Sequence, residues 1–83
     1  MTKSIFTDAY KLLISILVQE RNNAKITQQK LADRLNKHQS FVAKYESRER
    51  RLDVVELIQI TEALNIDIVP LIHKIQACLN LDA

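Results

Sequence analysis

Gln39, Ser40, Ala43 and Lys44 follow His38 within a few positions of one another. If residues 39–47 form a helix, all five lie on the face opposite Val42 and Tyr45. Their chemistry suits the edges of nucleic-acid bases. Gln makes a bidentate pair with adenine, Lys reaches the acceptors of guanine, Ser bonds to either, and an Ala methyl rests on that of thymine. A single Gln or Ser on a polar helical face would mean only solvation, so the weight rests on the constellation. Other chemistries find no comparable set. No nucleophile, base and orienting group can be assembled, His38 and His73 lack neighbouring ligands at metal spacing, and Cys78 stands alone. The expectation is a binding protein and not an enzyme, with no metal and no cofactor.

A reading face of this kind must be held by a second helix, and the residues from Thr27 to Leu57 are spaced for that. Counting from Gln28, the small residue Ala32 is fifth, where two steeply crossing helices bring their backbones closest. Leu31 and Leu35 flank it at helical spacing, and Val42 with Tyr45 supply the buried side of the second helix. Asn36, at the ninth position, stands where a tight turn needs a residue that tolerates a left-handed backbone. Thr27 is placed to cap the first helix, with Lys30 leaving only half of a capping box. The spacing is that of a helix-turn-helix over about residues 27–47.

Charge is divided unevenly along the chain. Between Lys25 and Arg51 there are eight Lys and Arg against three Asp and Glu, a net of +5. The remaining residues carry four against seven, a net of −3. Positive charge is thus gathered on the proposed reading unit, as contact with a phosphate backbone requires. A merely solvated face would mix the signs.

The segment resembles the Xre, or Cro and lambda-repressor-like, helix-turn-helix family of transcriptional regulators. The resemblance covers roughly residues 7 to 72 by the helix pattern, and Lys44, Tyr45 and Glu46 followed by Arg50 resemble the family's signature at the end of the recognition helix. It implies a five-helix, all-α, lambda-repressor-like domain that binds double-stranded DNA. It further implies that Gln28 bonds a phosphate together with its helix N-terminus, and that Gln39, Ser40 and Lys44 face base edges. Glu46 and Arg50 are implied to pair or cap at the exit from the recognition helix. This chain departs from the pattern at Asn36 and Arg48, where Gly is common, and at Lys37, where an apolar residue is common. Lys37 and Arg48 add charge near the expected backbone, so the phosphate set is read as Gln28, Lys37, Arg48, Arg50 and Arg51.

Composition agrees with that architecture. The 83 residues suit one domain, without Gly and with a single Pro, which removes phosphate-cradling loops and most hairpin turns. Five helices are expected. The first runs from about Thr7 to Glu20 with Phe6, Tyr10, Leu13 and Leu17 on one stripe, and a polar loop follows from Arg21 to Lys25. The two motif helices come next, then a basic loop from Glu49 to Leu52. Asp53 caps a fourth helix with Val54, Leu57, Ile58, Thr61 and Leu64 inward, and Asn65 ends it. Pro70 fits the first turn of a final helix over about 69–80. The LLISILV run is too short to cross a bilayer, which takes about 20 apolar residues, so no membrane is expected. No signal peptide is read, and the lone Cys78 suits a reducing cytoplasm.

The last helix is richer in aliphatic residues than one side of a small core needs. Ile68, Leu71, Ile72, Ile75 and Leu79 are therefore expected to pair in a homodimer, whose two recognition helices would lie about 34 Å apart on DNA. The leading expectation is a sequence-specific repressor on an inverted repeat, with no small-molecule ligand. The alternative is a protein-interaction module, such as an antitoxin or adaptor, with DNA binding secondary.

Overall fold

The computed structural model describes residues 2–80, with side chains from Asp8 onward. Five helices carry the chain: α1 Thr2–Asn23, α2 Gln28–Leu35, α3 Gln39–Glu46, α4 Val54–Ala63 and α5 Ile68–Leu79. α1 packs along α5 and against α3, while α2 sits against α3 and α4. Phe6, expected on the apolar stripe of the first helix, and the apolar Leu81 near the C-terminal end of the sequence lie outside the described side chains.

The caps follow the residue types. Thr27 accepts the Lys30 N–H at 3.0 Å. Asp53 forms a full capping box with Glu56: its carboxylate accepts the Glu56 N–H at 2.7 Å, and Glu56 accepts the Asp53 N–H at 3.0 Å. Asp67 caps α5 by accepting the Val69 N–H at 3.0 Å.

The ends of α1 to α4 share one device. Lys25, Asn36, Arg48 and Asn65 all take positive φ, between 57° and 66°. In each case the N–H of the next residue returns to a carbonyl in the last helical turn: Ile26 to Arg21, Lys37 to Ala32, Glu49 to Lys44 and Ile66 to Thr61. These are Schellman closures made without glycine. Asn36 and Asn65 were legible as stops. Lys25 and Arg48 carry the same conformation with side chains that gain nothing locally from it.

The core gathers Ile14, Leu17, Leu31, Ala32, Val42, Tyr45, Leu57, Ile60, Leu64 and Leu71. Ala32, Val42 and Tyr45 are wholly buried, so the small residue and the inward face of α3 lie where the motif spacing puts them. Several expectations are corrected. α1 continues through Arg21 to Asn23 instead of ending at Glu20, because the loop begins only where Lys25 reverses the chain. The inward stripe of α4 is Leu57, Ile60, Thr61 and Leu64; Val54 and Ile58, expected inside, are 66% and 41% exposed. Both faces of α4 are apolar, and its packing against α2 fixes which one turns in. On α5, Leu71 is only 4% exposed and packs inside its own chain, while Ile68 and Ile75 are half-buried against the core. Of the five residues expected to pair with a second copy, Ile72 and Leu79 are the exposed ones.

The Arg50 guanidinium grips Glu56 with two bonds, at 2.7 and 2.9 Å, and lies 4.9 Å from the centre of the Phe41 ring. Together with the Asp53 N–H, this holds the Glu56 carboxyl down at about 2 against an ordinary 4.5. The depressed value makes the stabilisation complete above pH 4.5 and removes it as pH falls through the folded value near 2. Urea titrations of wild type and Glu56→Gln should therefore differ at pH 7 and converge as pH drops through this window. A gap that persists unchanged at the acid end would show that packing, and not charge, accounts for the difference.

A second expectation concerns Tyr45, whose buried hydroxyl has no hydrogen-bond partner among the described residues and whose ionisation is pushed up by burial. An unpaired buried hydroxyl costs about 1–3 kcal/mol, so Tyr45→Phe should hold or raise the thermal midpoint. A loss of stability beyond about 1 kcal/mol would mean that the hydroxyl finds a partner in solution.

Candidate nucleic-acid interface

The outer side of α3 starts at its cap. His38 accepts the Ser40 N–H on Nδ1 at 3.2 Å, with the Ser40 hydroxyl 3.0 Å from the same nitrogen. Accepting there uses the Nδ1 lone pair, which puts the proton of a neutral ring on Nε2 and leaves that N–H as an outward donor. His38 is thus both the N-cap of α3 and part of its exposed face. Ser40 and Ala43 are half-buried, and Lys44 is exposed. Val42 and Tyr45 anchor the opposite side.

Gln39 belongs to a relay that runs through three helices. Its Nε2 donates to Gln28 Oε1 at 2.8 Å, and Gln28 Nε2 donates to Glu46 Oε1 at 2.9 Å. Arg21 closes the chain from α1, donating from Nε and Nη2 to the two Glu46 oxygens at 2.7 and 3.0 Å and from Nη1 to the Ile26 carbonyl at 2.8 Å. The ion pair is largely enclosed, its side chains 12% and 7% exposed. Bonding to Glu46 also raises the Arg21 pKa.

The relay fixes the direction of each amide. An ionised carboxylate only accepts, so Gln28 must turn its NH2 toward Glu46 and its oxygen toward Gln39. Gln39 must then spend one N–H on Gln28. What it keeps is one N–H donor and one carbonyl acceptor, side by side. That is the complement of adenine, which offers an acceptor at N7 and a donor at N6, and a mismatch for the paired acceptors of guanine.

The expected phosphate residues occupy different settings. Gln28 opens α2, so its side chain and the free N–H groups of the first turn lie together. Lys37 is exposed and sits 5.2 Å from the centre of the Phe41 ring, which Arg50 also approaches. Arg50 is engaged by Glu56, matching the pairing role implied for it at the helix exit. Arg48 is exposed on its left-handed backbone, and Arg51 lies 4.4 Å over the Tyr10 ring. Among the described residues no three His, Cys, Asp or Glu side chains cluster as metal ligands, and no helix is long and apolar enough to cross a membrane. Cys78 is a half-buried thiol.

Two participants were not visible beforehand. Arg21, expected in a loop, lies on α1 four residues after the buried Leu17 on the same helical face. A cation that continues an apolar stripe was the available signal. Phe41, which the motif spacing does not single out, lies beside two cations, Lys37 and Arg50, and packs at 5.6 Å on Tyr45.

Comparison with known proteins agrees with this geometry. The helix-turn-helix family model matches residues 17–71. A solved structure described as an XRE-family like protein from Pseudomonas syringae pv. tomato str. DC3000 is similar over 92% of this chain and 93% of its own, at 42% identity and a TM-score of 0.87. No curated protein matches the sequence. The chain belongs to the Xre-like helix-turn-helix family of DNA-binding transcription regulators, which work by binding and are not enzymes.

Proposed function

We propose that the chain is a sequence-specific repressor that reads the major groove of an inverted-repeat operator as a homodimer. The observation that carries this reading is the relay from Arg21 through Glu46 and Gln28 to Gln39, which presents a fixed donor and acceptor at the start of α3. His38, Ser40, Ala43 and Lys44 extend the base-facing surface, while Gln28, Lys37, Arg48 and Arg51 contact phosphates on either side. Arg50 contributes through the loop that it braces. Repression needs no further activity, because a protein seated in the groove excludes competitors from the same DNA.

Exposed aliphatic side chains support the homodimer. Val54, Val55 and Ile58 on α4, with Val69, Ile72 and Leu79 on α5, stay in contact with water in the single chain. A two-fold contact through these helices would bury them and double the number of bases read. The same apolar faces also suit a heterologous protein, the antitoxin or adaptor reading. Sedimentation of the free protein at micromolar concentration separates the two: a dimer is expected, and Ile72→Glu should shift it toward monomer. A monomer without DNA that forms a one-to-one complex with another protein would reverse the ranking.

DNA readout makes a sharper expectation. In fluorescence anisotropy against duplexes from upstream of its own coding sequence, the protein should bind more tightly than to random duplex at moderate salt. Gln39→Ala and Lys44→Ala should each cost about 1–3 kcal/mol on the preferred duplex and relax base choice at one position. Gln28→Ala should relax the Gln39 position as well, although Gln39 itself is intact. If Gln28→Ala weakens all sequences alike and leaves the adenine preference untouched, the relay does not set base choice.

A further inference from the structure

Between the first half of α1 and the loop after α3 lies a cleft of about 170 Å3, lined by Tyr10, Lys11, Arg48 and Arg51. Three of these four are cations, and among the described residues none of the three forms an ion pair. Their mutual repulsion is relieved by an anion seated among them. The cleft is also held in shape. The Tyr10 hydroxyl donates to the Arg50 carbonyl at 3.4 Å and accepts the Leu52 N–H at 3.2 Å, so the loop is tied to α1 from both sides of Arg51. Arg51 in turn stacks 4.4 Å above the Tyr10 ring. Arg48 holds φ at 66°, a conformation that Gly reaches without steric cost. The chain keeps a cation at a turn position where an uncharged residue would fit more easily.

We infer that this cleft binds a backbone phosphate of duplex DNA, and that Lys11 on α1 is a DNA contact outside the helix-turn-helix. The inference rests on the DNA-binding reading above and extends it to a residue that lies before the family match, which begins at residue 17. An ammonium and two guanidiniums offer the donors that a phosphodiester oxygen accepts. The loop that supplies two of them leaves α3 directly, so a strand that follows the edge of the groove beside α3 passes this cleft. Such a contact adds affinity and register without sequence preference.

The test compares wild type, Lys11→Gln and Arg48→Gly by anisotropy on several duplex sequences between about 50 and 200 mM salt, with thermal midpoints measured alongside. Lys11→Gln is expected to weaken binding to every duplex by the same factor and to reduce the slope of log affinity against log salt by about 1, with base preference and thermal midpoint unchanged. Arg48→Gly should weaken binding likewise while its midpoint holds or rises. If wild type binds duplex and Lys11→Gln matches it in affinity and slope, the cleft lies off the path of the DNA; this inference falls and the DNA-binding reading stands. If wild type binds no duplex, both fall. A parallel NMR titration with inorganic phosphate covers the other source of the same chemistry. Saturation of Arg48 and Arg51 by free phosphate, with Lys11→Gln unaltered on duplex, would assign the cleft to a small anion and overturn the proposal.

Discussion

Glu46 has two carboxylate oxygens that only accept, and it receives donors from two other helices: Nε and Nη2 of Arg21 on α1, and Nε2 of Gln28 on α2. An enclosed carboxylate without partners would cost several kcal/mol, and removing one member of a buried pair typically costs about 3–5. The three elements must therefore be placed together or not at all. The constraint extends beyond stability. Because Glu46 cannot donate, it orients Gln28, and Gln28 orients Gln39, so a charge buried behind the recognition helix decides which atoms that helix shows in front. The buried support and the outward face of α3 are joined by a single chain of hydrogen bonds.

The absence of glycine forms a second constraint, with opposite effects at different ends. At Ile26 and Ile66 the residue after the left-handed position is apolar and packs on the core, as a Schellman closure usually arranges. At the two ends that flank α3, the corresponding residues are Lys37 and Glu49, both exposed. The recognition helix is thus bounded by closures that forgo the usual apolar contact. Lys37 finds a partial substitute on the ring of Phe41, and Glu49 accepts the Ser47 hydroxyl at 3.0 Å. Polar closures keep the approaches to α3 free of apolar surface, which suits a highly charged partner.

What could be read from the sequence was mostly local. Thr27, Asp53 and Asn36 act through residues within a few positions of themselves, and the Ala32, Val42 and Tyr45 spacing reflects a crossing of two helices adjacent in sequence. What could not be read depends on distant elements. Arg21 meets Glu46 across 25 positions, and although its spacing from Leu17 continues an apolar stripe, that stripe does not say which carboxylate the cation meets. The phase of α4 depends on α2, since VVELIQI offers aliphatic residues on both sides. The burial of Leu71 arises from α1 lying along α5, so counting aliphatic residues on one helix overstated what remained for a partner. The outer face of α3 was legible as a polar face, whereas the orientation of the Gln39 amide was not, because it is imposed from Glu46 through Gln28.

The same long-range pairing clarifies the charge of the reading unit. Glu46 is neutralised by Arg21, and Arg50 by Glu56; in each pair one partner lies outside the Lys25 to Arg51 segment. Setting Glu46 and Arg50 aside leaves seven cations and two carboxylates, still a net of +5. The excess is therefore carried by side chains that face outward, not by charges spent on holding the fold. Several of them are also restrained: Lys37 on Phe41, Arg51 on Tyr10, and Arg34 by its bond to the Ala63 carbonyl at 3.0 Å. A long cation that is already ordered loses less conformational freedom when it meets a phosphate. Half-buried aromatic rings next to the motif thus do for these cations what Glu46 does for the Gln39 amide, fixing their geometry in the free protein.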